Sequence, residues 1–347
     1  MKAARLYGYD PELKGTEFLM MEEIPAPSIV RADDVIVRIG GAGLCRTDLH
    51  IIQGLWDRAL VVEPPYVLGH ENAGWVEEVG PAVRSFSSGD PVLISPALSD
   101  GVCAACRRGD DNQCHNLVWL GIQRDGGFAE FVSVSERNLF DLPEGLDPVQ
   151  AAPLADAGLT AYHAARKAAR ILPPDAVAVI IGVGGLGHVG LQALRVLTPA
   201  RIIAVERSEL ALELARELGA DEVLESSDRL VEEVLGLTGG KGAEAVLDFV
   251  GEGDVPGQAL EMLRMGGSYF VIGYGGSIEV PTMDMIATEK SIVGNIGGTA
   301  TELQELVALA GTRKVRMSVQ TYPLERINEA IADLRELRIK GRGVLIP

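Results

Sequence analysis

One stretch narrows the fold more than any other: an apolar run that breaks into a glycine loop and re-emerges as a helix. Ala-Val-Ala-Val-Ile-Ile (Ala176–Ile181) is followed without a spacer by Gly-Val-Gly-Gly-Leu-Gly (Gly182–Gly187), and the pattern from Gly187 to Leu197 predicts an amphipathic helix. A continuous β-branched run is a strand buried on both faces, and such strands belong to parallel sheets covered by helices. The alternation continues. Arg201–Glu206 reads as a strand, about Glu209 to Leu218 as a helix, and Glu244–Val250 and Ser268–Gly273 as further buried strands. An alanine-rich helix over 161–170 precedes them. We therefore expect an α/β chain built on a doubly wound parallel sheet.

The spacing inside the loop has a physical reading. Gly182 permits the tight turn, Gly184 lets the backbone approach a pyrophosphate, and Gly187 lets the helix pack on the strand. Gly185 and Leu186 complete the loop, where unpaired N–H groups at the helix N-terminus favour phosphate. Glu206 ends the next strand, 206 − 187 = 19 residues on, where an acid binds the diol of an adenosine ribose. Its carboxylate would repel a 2′-phosphate, which favours NAD over NADP; Arg207 beside it softens that preference. Glu206 as a plain solvated strand end is the competing reading. Methyltransferases use glycine-rich loops on similar sheets, so the loop alone names no reaction.

The first hundred residues have a different character. Val35–Gly40 alternates apolar and polar residues, and Trp75–Gly80 and Pro91–Pro96 read as short strands bounded by Gly-Asp and Pro signals. With 347 residues, at roughly 100–200 per domain, the chain has room for about two domains. Lys plus Arg is 31 and Asp plus Glu is 49, a formal net charge of −18. Such a chain has no overall attraction to phosphate backbones or anionic lipid, which disfavours nucleic-acid and membrane-surface roles. The longest apolar runs fall short of a spanning helix and no signal-peptide pattern opens the chain, so a soluble, cytoplasmic protein is expected.

The four cysteines are Cys45, Cys103, Cys106 and Cys114. Three sit within Asp-Gly-Val-Cys-Ala-Ala-Cys-Arg-Arg-Gly-Asp-Asp-Asn-Gln-Cys, and paired thiolates on short loops are how proteins hold tetrahedral zinc. A fourth ligand is needed. Asp100 repeats the three-residue step from Cys103 to Cys106; His115, adjoining Cys114, is the competing ligand and reads rather as a surface side chain. Elsewhere, Gly-Leu-Cys-Arg-Thr-Asp-Leu-His holds Cys45, Gly-His-Glu-Asn-Ala-Gly holds His70 and Glu71, and Ala-Pro-Leu-Ala-Asp-Ala-Gly-Leu-Thr holds Asp156. One thiolate, one imidazole and one carboxylate from three segments make a plausible open zinc site. Taken singly, each has a bland reading: a buried thiol, a core histidine, a turn acid.

These motifs, together with the glycine loop and the cysteine lobe, resemble the zinc-dependent medium-chain alcohol dehydrogenases, above all prokaryotic, thermophile-like NAD-dependent members. The resemblance runs from Met-Lys-Ala-Ala at the start to Gly-Arg-Gly-Val-Leu-Ile-Pro at the end. It implies a GroES-like, β-rich catalytic domain over 1–157 and 298–347, with a structural zinc lobe at about 98–116, and a Rossmann NAD-binding domain over 158–297.

It also implies roles. Cys45, His70 and Asp156 become the catalytic zinc ligands, and Asp100, Cys103, Cys106 and Cys114 the structural ones. Many relatives carry Cys where this chain has Asp156; the formal charge is the same but oxygen is the harder ligand. Asp48 becomes the acid that orients the zinc-bound imidazole, Glu71 the neighbour that transiently approaches the metal, and Thr47 and His50 the proton relay. Thr160, Arg342 and the turn at Gly273 are assigned to the cofactor, at the nicotinamide, the pyrophosphate and the nicotinamide border respectively. His163 and His188 receive no metal role. Trp56, Trp119, Leu120 and Ile122 suggest an apolar substrate pocket, closed by Asn295 and Ile296, if need be from a neighbouring subunit; core packing is their competing reading. The implied activity is reversible hydride transfer between a primary or secondary alcohol and NAD, with two zinc ions per subunit in a homotetramer or a homodimer. Polyol oxidation, another zinc-dependent medium-chain dehydrogenase activity, and a non-catalytic nucleotide-binding protein are the alternatives.

Overall fold

The computed structural model describes residues 1–56 and 63–347 and divides into two compact units. The first comprises Met1–Leu159, Thr299–Arg313 and Met317–Pro347, and the second Thr160–Gly298 with Lys314–Arg316.

The first unit is built around the strand Asp34–Leu44. Its sheet runs Leu139–Asp141, Pro91–Ile94, Glu71–Val79, Asp34–Leu44, Arg342–Ile346, Val319–Pro323, and Phe131–Ser135 also pairs with Asp34–Leu44. All of these pairings are antiparallel except the last two strands, which run parallel. A second sheet, Met20–Glu23, Lys2–Leu6, Tyr66–Val67, closes over the same core. Leu6, Leu44, Ile51, Leu68, Phe128 and Leu345 are fully buried there. The strand read as Val35–Gly40 runs on through glycines to Leu44. One of them bears on function. Gly43 sits opposite Glu71 in register, and a Cβ on Gly43 would lie 2.0 Å from Glu71 Oε2. The missing side chain makes room for a buried carboxylate.

The second unit holds a six-stranded sheet, Glu222–Glu225, Arg201–Glu206, Val177–Ile181, Ala243–Asp248, Leu263–Val271, Ser291–Gly294, with every pair parallel. Numbered in chain order this is 3-2-1-4-5-6, the doubly wound order, whose switch point falls between Val177–Ile181 and Ala243–Asp248. Val179, Ile203, Val205, Val246 and Tyr269 are fully buried in its core, which explains the unbroken apolar runs. The helix after the glycine loop spans Gly187–Leu197 as the periodicity predicts. The alanine-rich helix begins earlier than expected, at Ala157, directly after Asp156. Among the described residues no helix is long and apolar enough to cross a membrane.

Candidate active site and metal centres

Cys45 follows the strand Asp34–Leu44 and is the N-cap of the short helix Arg46–Ile52. Asp48, on the first turn of that helix, accepts the Cys45 N–H at 2.8 Å through Oδ2 and is fully buried. Its other oxygen lies 3.4 Å from His70 Nδ1. One carboxylate thus stabilises the helix start and faces the imidazole. His70 precedes the strand Glu71–Val79, and Asp156 closes the 3₁₀ turn Ala152–Ala155. Ligand atoms of Cys45, His70, Glu71 and Asp156 all lie within 4.8 Å of one another.

The donor set fits zinc. For metal–ligand bonds of about 2.0–2.3 Å at tetrahedral angles, a sulfur and an oxygen stand about 3.6 Å apart and a nitrogen and an oxygen about 3.4 Å. Cys45 Sγ is 4.0 Å from Asp156 Oδ2, and His70 Nε2 is 3.5 Å from the same oxygen. Both ring nitrogens of His70 are buried without a hydrogen-bond partner. Leaving such a group unpaired costs about 1–3 kcal/mol, a cost that a cation would remove at Nε2. Burial pulls the His70 pKa down, but the Asp48 and Asp156 carboxylates win and hold it well above the usual 6.5. That is the signature of an electronegative pocket shaped for positive charge.

Glu71 has a more fixed place than sequence suggests. It is fully buried, accepts the Ala157 N–H at 2.9 Å through Oε1, and is held by the Arg342 guanidinium through both oxygens, with Nε to Oε2 at 2.9 Å. Burial raises the Glu71 pKa and Arg342 opposes the rise. Because Ala157 follows Asp156, Glu71 anchors the turn that presents the carboxylate ligand. Arg342, assigned to pyrophosphate by resemblance, is buried and spends Nε and Nη2 on Glu71, leaving its remaining donors for another acceptor. No local pattern signals this long-range ion pair.

The second cluster is Asp100, Cys103, Cys106 and Cys114. Cys103 Sγ lies 3.5 Å from Cys106 Sγ and 3.9 Å from Cys114 Sγ, while Cys106 Sγ is 3.4 Å from Asp100 Oδ1. Two sulfurs on one tetrahedral zinc stand about 3.8 Å apart, so the thiols fit a shared metal. All four cysteines are free thiols. Asp100 accepts N–H groups of Cys103 and Val102 at 2.9 Å each and the Asn116 amide at 2.8 Å, which hold its carboxyl well below the usual range. N–H groups of Cys106 and His115 lower the Cys103 thiol to about 7. His115 therefore contributes its backbone; its side chain is exposed and lies outside the cluster.

In the second unit the glycine loop is a closed turn. Gly182 has φ +85°, and a Cβ on Gly187 would sit 1.8 Å from the Gly182 carbonyl oxygen, so this position admits no side chain. A Cβ on Gly184 would meet nothing within 4 Å, which leaves room for a ligand to approach the backbone. Gly185 and Leu186 lead into the helix, of which Leu186 is the N-cap. Tight helix-to-strand packing falls chiefly to a residue outside the motif: a Cβ on Gly190 would lie 2.6 Å from the Phe249 ring. Glu206 accepts the Val183 N–H at 2.9 Å through Oε2 and the Arg207 N–H at 2.7 Å through Oε1, which fixes the acid against the loop. His188 Nδ1 is 2.8 Å from the Gly184 carbonyl. The Gly273 N–H is taken by the Asp248 carbonyl at 2.8 Å.

The remaining expected residues are placed as follows. Thr47 and His50 lie three apart on Arg46–Ile52, Thr47 partly and His50 almost fully buried. Thr160 and His163 are buried on Ala157–Ala169. Leu120 and Ile122 are members of the first unit's core, with Trp56 and Trp119 partly buried at its border. In the second unit, Asn295 donates from Nδ2 to the Val293 and Val271 carbonyls, and Ile296 is 52% exposed.

Comparison with known proteins gives this geometry a family. Residues 31–144 match the alcohol dehydrogenase GroES-like domain and residues 185–312 the zinc-binding dehydrogenase domain. The NAD-dependent alcohol dehydrogenase of Sulfurisphaera tokodaii is 36% identical over the whole of both chains. A D-arabinose 1-dehydrogenase (NADP(+)) of Saccharolobus solfataricus is 34% identical over 96% of each. The crystal structure of the alcohol dehydrogenase from the hyperthermophilic archaeon Aeropyrum pernix superposes with a TM-score of 0.96, at 44% identity over all of both chains. With a GroES-like domain, a Rossmann-type sheet and two zinc-shaped donor clusters, the chain belongs to the zinc-dependent medium-chain alcohol dehydrogenase family.

Proposed function

We propose that the protein is an NAD-dependent alcohol dehydrogenase that interconverts a primary or secondary alcohol with its aldehyde or ketone. The observation that carries this reading is the buried Cys45–His70–Asp156 set, whose donor atoms stand at the separations a shared tetrahedral zinc requires. Zinc held there supplies Lewis acidity to the alcohol oxygen, and NAD held on the glycine loop is the hydride acceptor. The chain's own residues do the rest. Asp48 keeps the proton of His70 on Nδ1, which would leave the Nε2 lone pair to hold the metal. Glu71 holds the Asp156 turn through the Ala157 N–H. Thr47 takes up the substrate hydroxyl proton and His50 passes it on, keeping the pocket dry while protons exchange. Glu206 takes the adenosine ribose diol and Gly184 admits the pyrophosphate. Asp100, Cys103, Cys106 and Cys114 hold the second, structural zinc.

The 34% identical relative named for D-arabinose and NADP(+) supports a second reading, oxidation of a sugar or polyol. Trp56 and Trp119 at the border of the core favour alkyl and aromatic alcohols instead. For assembly we propose a homotetramer. The edge strand Ser291–Gly294 and the exposed Met283, Ile286, Ile292 and Ile296 supply a sheet edge and apolar surface for a second copy. Four cysteines outside any disulfide suit the reducing cytoplasm, where we place the protein.

The test is a panel of alkyl, benzyl and polyol alcohols with NAD or NADP, following reduced cofactor, with light scattering for mass. NADH formation on alkyl or benzyl alcohols is the expected result. Turnover confined to polyols with NADP would replace the first reading by the second, and a monomer would remove the tetramer.

A further inference from the structure

We propose that Asp248, which no sequence motif assigns, is a positioning residue of the cofactor site, setting the turn that lies against the glycine loop and the second turn packed against that one. This rests on the reading that the Gly182–Gly187 loop holds NAD. Asp248 is the last residue of Ala243–Asp248, on the strand next to the one that feeds the loop, and is fully buried. Its Oδ1 accepts the Val250 N–H at 2.8 Å and the Gly251 N–H at 2.9 Å, and its Oδ2 accepts the Tyr269 hydroxyl at 2.7 Å. Its main-chain carbonyl accepts the N–H groups of Ile272 at 3.0 Å and Gly273 at 2.8 Å. One residue therefore ties down both the turn after its own strand and the turn after Leu263–Val271.

The first of those turns is the floor of the glycine loop. The Phe249 N–H donates to the Ile181 carbonyl at 2.9 Å, immediately before Gly182. A Cβ on Gly182 would lie 2.8 Å from Val250 Cγ2, and the Phe249 ring fills the space beside Gly187 and Gly190. The second turn is pressed against the first: a Cβ on Gly251 would be 2.2 Å from the Gly273 backbone. Burying a carboxylate costs several kcal/mol unless its oxygens are satisfied. Here two backbone N–H groups and one hydroxyl satisfy it, and the two N–H bonds fix the turn under the phosphate site. Displacements of a fraction of an ångström there move the loop, since neither neighbour has slack.

The assignment separates cofactor affinity from everything else. In the zinc-loaded, full-length protein, Asp248→Ala should raise the NADH dissociation constant and the KM for NAD at least about tenfold, with the alcohol KM and the zinc content unchanged. Asp248→Asn keeps an oxygen for the two N–H groups and an amide for Tyr269, and should stay within about threefold of wild type. Tyr269→Phe frees only Oδ2, and should lower the melting temperature while leaving the NADH constant within about twofold. If Asp248→Ala does not fold, Asp248→Ser, with one shorter acceptor, should show the same rise in smaller measure. An NADH constant for Asp248→Ala, or for Asp248→Ser if only that variant folds, within twofold of wild type overturns the assignment. Glu206→Ala is the control for the underlying reading. If wild type binds no NADH, or Glu206→Ala binds it as wild type does, the cofactor reading itself fails. If Glu206→Ala weakens binding and the Asp248 variants do not, only the role of Asp248 fails.

Discussion

Replacing Asp48 by asparagine tests the metal site through a single proton. Asp48 Oδ2 accepts the Cys45 N–H at 2.8 Å and Oδ1 lies 3.4 Å from His70 Nδ1. Asparagine keeps one oxygen, which the Cys45 N–H claims, and turns its amide N–H₂ toward His70. Nδ1 must then accept rather than donate, so the ring proton moves to Nε2, the nitrogen that faces the metal. Zinc has to displace that tautomer to bind. Partners of this kind are worth about 10–100-fold in metal affinity, or about 1.4–2.7 kcal/mol at 1.36 kcal/mol per decade. The helix start survives in this variant, whereas alanine would add about 1 kcal/mol for the lost cap. Equilibrium competition with a chromophoric chelator measures the effect. The Asp100–Cys103–Cys106–Cys114 site serves as an internal reference, since Asp48 does not touch it. One zinc should weaken by that factor and the other stay as in wild type. Two zincs bound as tightly as in wild type would refute the reasoning.

Gly187→Ala places a Cβ where the Gly182 carbonyl oxygen stands 1.8 Å away, and should cost about 2–3 kcal/mol in urea unfolding and abolish NADH binding; a variant as stable as wild type would contradict the closed turn. Glu206→Ala removes the acid held by the Val183 and Arg207 N–H groups, and the ratio of kcat/KM for NAD over NADP should fall by about tenfold, near 1.4 kcal/mol; an unchanged ratio would move cofactor choice elsewhere. In metal-stripped protein, His70 is held well above 6.5, so its stabilising charge is complete below that pH and is lost as pH rises through the raised value. The melting temperature of stripped protein should therefore fall as pH climbs above 6.5, and its gap to zinc-loaded protein should widen; a gap that ignores pH would discount the imidazolium.

The second unit was the more readable half. Its strands are buried on both faces, so apolar runs and the glycine loop are local signals, and the helix Gly187–Leu197 lies where its periodicity puts it. The first unit is antiparallel, and its decisive contacts depend on register between distant strands. That Gly43 faces Glu71 follows from the pairing of Asp34–Leu44 with Glu71–Val79, which neither segment announces by itself. The same holds for Glu71 with Arg342, a contact across 271 residues. Candidate ligands were legible as residue types, because only a few side chains bind zinc. What holds them in place was not. Asp248 did leave a trace, an acid closing the apolar run Ala245–Leu247, but the trace gains meaning only once Val250, Gly251 and Tyr269 are seen around it.

The central claim is that Asp156 completes a catalytic zinc site with Cys45 and His70. It is tested most directly by counting zinc per chain and following NADH formation from an alcohol in wild type and Asp156→Ala side by side. The account predicts two zincs and turnover in wild type, from its two donor clusters, and one zinc with no measurable turnover in the variant. An Asp156→Ala protein that keeps both zincs and oxidises the alcohol at the wild-type rate would contradict it.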